Sequence, residues 1–243
     1  MNLPRAFAVI ALALLATTTA IATPDVHYTE TLGDAAVEVP VLDGFTPPAT
    51  TPKVLRDLFE HSLPAQYRLS GISLQQAFVD SARAGDTTAK MSRYAIAAVN
   101  RSFEDQSISP ELFDAFKAQF RQAGNAALRE AEARAATGLD RMSKEVGKIT
   151  GDVATSIKVG QTRSLGVFDE RPNSIAMATV HTVTIENGQN KGSTPQVMAM
   201  AIARVRGKPL LFYVYSNYES DADIDWAEDQ VRGWLTRLDE LNP

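Results

Sequence analysis

The clearest periodicity in the sequence is a run of apolar residues at three- and four-residue spacing that begins just after Pro110. This spacing predicts an amphipathic helix, and proline is favoured in the first turn of a helix. The run extends to Val146, and one continuous helix of that extent would be about 55 Å long. Either it breaks near Gly124 or Gly138, or its second half packs on something else. The apolar positions are Leu112, Phe113, Phe116, Phe120, Ala123, Ala127, Ala131, Ala135, Leu139, Met142 and Val146.

After Thr155 the pattern changes to the two-residue alternation of β-strands. It occurs in four successive runs, SIKVGQTRSLGVFDE, SIAMATVHTVTIENG, TPQVMAMAIARVRGKP and LLFYVYSNY. The turns between them are short, which predicts antiparallel neighbours. Earlier in the chain, residues 36–42 predict an edge strand because they contain Pro40. Residues 67–74 and 91–99 predict two more strands, although the alanines of 91–99 also suit a helix.

Two further helices complete the predicted fold. One runs from Pro52 to Ser62, and the other closes the chain with an apolar stripe from Ile224 to Leu241. A sheet with short connections and helices of this length predicts an α+β fold. We expect a central antiparallel sheet of about five to seven strands, flanked by helices that include the long amphipathic one.

The first 22 residues have the pattern of a secretory signal peptide. Arg5 supplies a positive charge, residues 6–16 are apolar, and an A-x-A motif predicts cleavage between Ala22 and Thr23. The apolar stretch is short against the ~20 residues that span a bilayer. We therefore predict export to a periplasm, with full secretion as the alternative. Residues 23–35 are expected to form a flexible leader and 36–243 a single α+β domain.

Composition excludes several classes of site. The chain has no cysteine, which excludes disulfides, thiolate metal sites and cysteine nucleophiles. Its net charge of −5, with no basic block, does not favour nucleic acid or an anionic membrane as a partner. Phosphate-binding glycine loops, a G-x-S-x-G elbow and an HExxH motif do not occur. No cofactor is predicted, and no membrane insertion is expected after signal cleavage.

An acidic cluster lies between Tyr215 and Trp234. Its alternating carboxylates resemble the start of a calcium loop, which also needs glycine at its sixth position and glutamate at its twelfth. Trp226 and Arg232 occupy those positions. Ser220 instead suits the N-cap of the closing helix, and acidic residues favour its first turn. We predict a capping role, with three weak candidates for a metal site: Asp221, Asp223 and Asp225.

The remaining candidates for chemistry are one histidine and a tyrosine-rich strand. His181 lies in the middle of a predicted strand, where it is either a structural residue or a general acid–base. In LLFYVYSNY, Tyr213 and Tyr215 share one face, and the opposite face is also apolar. Apolar residues on both faces indicate that each is covered or that one binds a partner. The candidate binding residues are Tyr213, Tyr215, Asn217 and Tyr218.

The sequence also resembles a group of uncharacterised exported proteobacterial proteins. The resemblance covers roughly residues 37–241 and rests on VPVLDGFTPP, RYAIAAVNRSFEDQSISPELFDAFK, the four antiparallel runs and YVYSNYESDADIDWAEDQVRGWLTRL. Their arrangement is similar to the PsbP-like α/β/α sandwich, which implies an antiparallel sheet with helices on both faces. The resemblance implies no reaction and no functional residue.

The functional expectation is a non-enzymatic periplasmic protein that binds another protein of the cell envelope. An immunity-type role and an assembly or accessory role both fit this expectation. The alternative is a periplasmic hydrolase or small-ligand binder that uses His181 with an unidentified carboxylate.

Overall fold

The computed structural model describes residues 26–86, 89–150, 155–187 and 190–243, and of residues 122–135, 149–150, 187 and 190 it describes the backbone alone. The predicted signal peptide and its cleavage site lie outside the described residues. The elements in chain order are β1 (His27–Leu32), β2 (Ala35–Pro40), α1 (Lys53–Ser62), β3 (Tyr67–Leu74), α2 (Gln76–Arg83), β4 (Arg93–Asn100), α3 (Pro110–Thr150), β5 (Ser156–Val159), β6 (Arg163–Arg171), β7 (Ser174–Asn187), β8 (Asn190–Val205), β9 (Lys208–Asn217) and α4 (Asp221–Leu241).

The centre of the fold is a seven-stranded antiparallel sheet. Its strand order is β3-β4-β9-β8-β7-β5, and β6 pairs with β7 on the same edge as β5. This confirms the predicted α+β class and number of strands. The run 156–170, predicted as one strand, forms two, because Gly160 and its neighbours turn the chain between β5 and β6. Strand β7 is long enough to pair with both along one edge.

One face of the sheet is covered by the closing helix α4. Alanine and valine dominate this face, and small side chains let the helix lie close to the strands. Trp234 of α4 stacks on Phe212 of β9 with ring centroids 4.0 Å apart. Its indole N–H donates a hydrogen bond to the carbonyl of Pro40 at 2.8 Å. A single tryptophan thus joins the helix, the sheet and strand β2.

The expected flexible leader is wrong for residues 27–32, which form strand β1. Strand β1 pairs with β2 in a separate two-stranded sheet, and Leu32 at its end is 0% exposed. The Tyr28 hydroxyl lies 3.1 Å from the Ser70 hydroxyl of β3, which ties the hairpin to the main sheet. The sequence HYTETL alternates as a strand does, but its polar residues favour a loop when they are taken without the partner strand.

Helix α3 is continuous for 41 residues, through both Gly124 and Gly138. Near its start, the Lys117 ammonium donates hydrogen bonds to the carbonyls of Arg171 (2.9 Å) and Pro172 (3.1 Å). Towards its end, the Ser143 hydroxyl accepts the backbone N–H of Ile157 at 2.8 Å. The helix therefore runs along the second face of the sheet, anchored at both ends. Among the described residues, no helix is both long and apolar enough to cross a membrane.

Candidate functional site

The second face of the sheet carries large aromatic and methionine side chains, in contrast to the alanine-rich face under α4. We call it the tyrosine face. It looks towards α1 and α3, whereas α4 packs on the opposite face. The residues of the tyrosine face are Tyr94 and Ile96 of β4, Met177 and His181 of β7, Gln196, Met198 and Met200 of β8, and Tyr213, Tyr215 and Asn217 of β9.

The register of the strands arranges these side chains in rows across the sheet. Directly paired residues point to the same face of an antiparallel sheet. Met198 pairs with Tyr215, and Tyr215 pairs with Tyr94. One step along the strands, Met200 pairs with Tyr213. Every second residue of these strands points to the tyrosine face. The paired strands therefore form a continuous surface of methionine side chains and phenol rings.

The tyrosines form an aromatic cluster. The rings of Tyr94 and Tyr215 are stacked, with centroids 4.5 Å apart and an interplanar angle of 11°. Tyr213 lies 6.4 Å from Tyr215, and Phe59 of α1 lies 5.4 Å from Tyr94. Offset aromatic pairs at these distances attract each other beyond their buried area. The cluster therefore forms one continuous aromatic part of the wall.

A cavity of about 1220 Å³ separates the tyrosine face from α3. On the helix side it is lined by Phe116 and Phe120 near the start of α3, and by Leu139 and Met142 near its end. Ligand sites for small molecules commonly occupy ~300–1,000 Å³. The space between sheet and helix is thus large enough for a molecule with an extended apolar body.

Burial raises the pKa of three tyrosines in the wall, Tyr94, Tyr213 and Tyr215. The cause is the removal of the phenolate from water, which disfavours its charge. Nearby phenol groups raise the pKa of Tyr213 and Tyr215 further. Within the part of the chain that the structure describes, no hydrogen bond is found for these hydroxyls. They are neutral groups that can both donate and accept.

We predict that these three tyrosines stay un-ionised well above pH 10, the ordinary value for tyrosine. Because their pKa is raised in the folded protein, the stability they contribute is present below pH 10 and is lost as pH rises above it. Ultraviolet titration of tyrosinate should show fewer than the six tyrosines of the chain ionising before the protein unfolds. In denaturant all six should ionise together; a folded protein that titrates in the same way would contradict the prediction.

His181 is 8% exposed and lies in the wall of the cavity. Its partner across the sheet is Gln196, which in turn pairs with Asn217. The register therefore places two amides beside the imidazole in this row. The carboxylates that line the cavity, Asp140 and Glu219, are both solvent-exposed. This arrangement suits hydrogen bonding to a bound molecule.

The four residues predicted as a binding surface all line the cavity, namely Tyr213, Tyr215, Asn217 and Tyr218. The methionines and Tyr94 complete the wall, and the sequence pattern alone did not indicate them as site residues. The spacing of Met198 and Met200 in VMAMAIA already places them on one face of a strand. The sequence does not reveal that β9 pairs with β8 on one side and with β4 on the other. This pairing brings the methionines beside the tyrosines.

The acidic cluster begins helix α4. The Asp223 carboxylate accepts the backbone N–H groups of Glu219 (2.9 Å) and Ser220 (3.1 Å), as in a capping box. It also lies 3.3 Å from the Arg93 guanidinium, and Asp221 accepts a hydrogen bond from the Tyr218 hydroxyl at 2.9 Å. The predicted capping role is confirmed. Among the described residues, no group of three or more His, Cys, Asp or Glu side chains could hold a metal ion.

Replacing Asp223 with alanine should cost about 1 kcal/mol of the free energy of unfolding at neutral pH. The Glu219 N–H, together with Ser220 and Arg93, lowers the pKa of Asp223. Its contribution is therefore present above pH 3.8, the ordinary value, and is lost as pH falls through the lowered one. Urea unfolding of the parent and the variant at neutral and acid pH measures this difference in the free energy of unfolding. Exposed Asp225→Ala is the control, expected within about 0.5 kcal/mol of the parent; equal losses for both variants would be incompatible with capping by Asp223.

Comparison with known proteins gives little similarity. No protein-family model matches the sequence, and no curated protein matches it. Among solved structures, the chain is similar to the Saccharomyces cerevisiae Ran-binding protein Mog1p at a TM-score of 0.30 and 8% sequence identity, over 90% of this chain and 93% of that one. A likeness of this size carries no argument about function, so the functional conclusion depends on the site itself.

Proposed function

We propose that this chain is a non-enzymatic binding protein that holds an apolar or amphipathic small molecule between the tyrosine face and helix α3. The cavity is the observation that carries this proposal. Its volume is about 1220 Å³, and phenol rings, methionines and aliphatic side chains dominate its lining. Apolar walls with a few polar groups are typical of small-molecule sites. The sequence suggested a periplasmic hydrolase or a small-ligand binder as the alternative function. The present proposal is the small-ligand binder, without catalysis.

Helix α3 is held in place beside the sheet by contacts on both sides of the cavity. Helix α3 is attached on both sides of it, by Lys117 to the turn before β7 and by Arg141, whose guanidinium donates to the Leu63 carbonyl at 2.6 Å. A bound apolar molecule makes dispersion contacts along this lining. Binding and stability are therefore linked.

The cellular setting is proposed on the basis of the sequence. The signal-peptide pattern of residues 1–22 supports a periplasmic location. An envelope protein remains a proposed partner, as the source or acceptor of the bound molecule. We also retain the PsbP-like α/β/α sandwich as the proposed finer fold assignment, which the helices on both faces of the sheet support.

The test is binding of the fluorescent apolar probe N-phenyl-1-naphthylamine to the full purified chain. We expect saturable binding that Met200→Trp weakens measurably, because the larger indole occupies part of the cavity beside Tyr213. Met177→Trp is a second filling variant, used if the first does not fold. Leu112→Trp is the matched control, since Leu112 lies on α3 but is 57% exposed and outside the cavity.

The melting temperature of each variant shows whether it is folded. Absence of saturable probe binding by the folded parent protein would overturn the proposal. So would equal binding by the parent, the folded filling variants and the control.

A further inference from the structure

The polar groups of the cavity are unevenly distributed. One row across three adjacent strands is polar, formed by His181, Gln196 and Asn217. In the next row Met198 and Tyr215 line the cavity, whereas Thr179 is 0% exposed.

The rows beyond it that line the cavity are apolar or phenolic and extend to Ile202 and Leu211. On the other side of the polar row, Val183 and Ile185 also line the cavity. The polar row therefore lies between two mainly apolar parts of the wall.

The apolar part towards Ile202 is the longer of the two. Gln196 and Ile202, which both line the cavity, are six residues apart on β8. At about 3.3 Å per residue they are separated by about 20 Å. Phe116 and Phe120 of α3 line the cavity from the other side. The space from the polar row to Ile202 thus has the length of a long hydrocarbon chain.

The charges around the cavity indicate which polar group its occupant carries. Among the residues whose side chains the structure describes, every charged residue that lines the cavity is solvent-exposed, and the two signs are mixed: Lys90, Arg121, Asp140, Lys158 and Glu219. Arg121 pairs with Glu170, and the Lys158 ammonium lies 3.5 Å from Glu186.

The described part of the lining thus presents no cluster of one sign to a buried head group. An anionic or cationic head in an apolar cavity needs a partner of opposite charge, because its desolvation is costly.

The polar groups deeper in the wall are amides and hydroxyls. Gln196 and Asn217 each offer a donor and an acceptor, as does a neutral phenol. Buried polar groups are satisfied in native proteins by protein, water or ligand. Groups that both donate and accept are suited to a neutral head that does the same, such as an alcohol, ester or amide.

We infer that the occupant is an uncharged amphiphile with one long hydrocarbon chain or more, such as an acylglycerol. Its head hydrogen-bonds to the His181–Gln196–Asn217 row, and its chain lies along the tyrosine face towards Phe116 and Phe120. This inference rests on the proposed function and adds the class and orientation of the ligand. A charged amphiphile and an apolar peptide are the competing occupants.

The experiment is displacement of N-phenyl-1-naphthylamine from the full chain by three amphiphiles with the same dodecyl-length chain. The neutral one is glycerol monolaurate, the anionic one is laurate at a pH where it is ionised, and the cationic one is dodecyltrimethylammonium. We expect glycerol monolaurate to compete at least about tenfold more tightly than either ion, because neither ion finds a counter-charge in the wall.

Variants of the polar row test the orientation. Gln196→Leu and Asn217→Leu should each weaken glycerol monolaurate by roughly two- to tenfold, the effect of one lost hydrogen bond. Binding of the probe itself should not change, since it needs only the apolar wall. Gln106→Leu is the matched control, because Gln106 is exposed and lies outside the cavity.

The outcomes separate the two proposals. If the probe binds but an ion competes as well as glycerol monolaurate, or the amide variants leave its affinity unchanged, the inference is overturned and the proposed function stands. Displacement by an apolar peptide but by none of the amphiphiles also overturns it. If the folded protein binds no probe, the proposed function fails.

Discussion

Replacing Trp234 with alanine should lower the free energy of unfolding by about 3–5 kcal/mol, as expected for loss of a buried tryptophan. For a chain of this size the melting temperature should fall by roughly 6–20 °C. Trp234 is 1% exposed, stacks on Phe212 at 4.0 Å and donates to the Pro40 carbonyl at 2.8 Å. The substitution leaves a cavity between α4 and the sheet and an unpaired carbonyl on β2. Urea unfolding followed by circular dichroism measures the loss.

The other tryptophan of the chain is the matched control. Trp226 is half-buried, stacks on Phe45 at 6.4 Å and lies beneath the Arg93 guanidinium at 4.0 Å. Its replacement by alanine should cost only about 1–2 kcal/mol, the sum of one aromatic pair and one cation–π contact. If Trp226→Ala were as damaging as Trp234→Ala, burial under α4 would not be what sets the loss.

How far the sequence predicts this fold depends on whether an element carries its own periodicity. Helix α3 begins at Pro110 as expected, because its apolar spacing is strong over many residues. Strand β3 was also predicted with its observed bounds, Tyr67–Leu74. Helix α2 was missed. Only eight residues long, it buries Phe78, Val79 and Ala82 against neighbouring elements. In an element this short, tertiary packing outweighs the local pattern.

Strand β1 was missed for a related reason. Its polar residues are stabilised by partners far away along the chain: Thr29 donates to the Glu38 carboxylate at 3.0 Å, and the Arg68 guanidinium pairs with Glu30 at 2.9 Å. Neither partner is indicated by the sequence of the strand. Polar strands therefore need knowledge of pairing before they can be distinguished from loops.

The candidate site was predictable only in part. The tyrosines of β9 were predictable because a strand that is apolar on both faces is either covered on both or binds a partner on one. The cavity opposite them depends on how closely α3 approaches the sheet. That distance is set by contacts between elements, such as the close approach of Gly138 to α1 and the hydrogen bond from Lys117 to the Arg171 carbonyl. The pattern of apolar and polar residues does not predict either contact.

Replacing Gly138 with alanine should destabilise the protein by about 1–3 kcal/mol, although alanine is the better helix former. A Cβ at this position would stand 2.8 Å from the carbonyl carbon of Ser62 at the end of α1, and closer still to its oxygen. Both are backbone atoms, so no side chain can move aside, and α1 and α3 must separate. Thermal and urea unfolding measure the loss.

Gly233→Ala is the control for Gly138, because it makes the same change in the middle of a helix. A Cβ at Gly233 meets nothing within 4 Å, so this variant should gain about 0.5–1 kcal/mol from the lower entropy of its unfolded chain. The two substitutions therefore have opposite signs. Separation of α1 and α3 also moves Leu139 and Met142, which line the cavity. Gly138→Ala should accordingly alter probe affinity, whereas Gly233→Ala should not. A stabilising Gly138→Ala would mean that the two helices do not meet at this glycine.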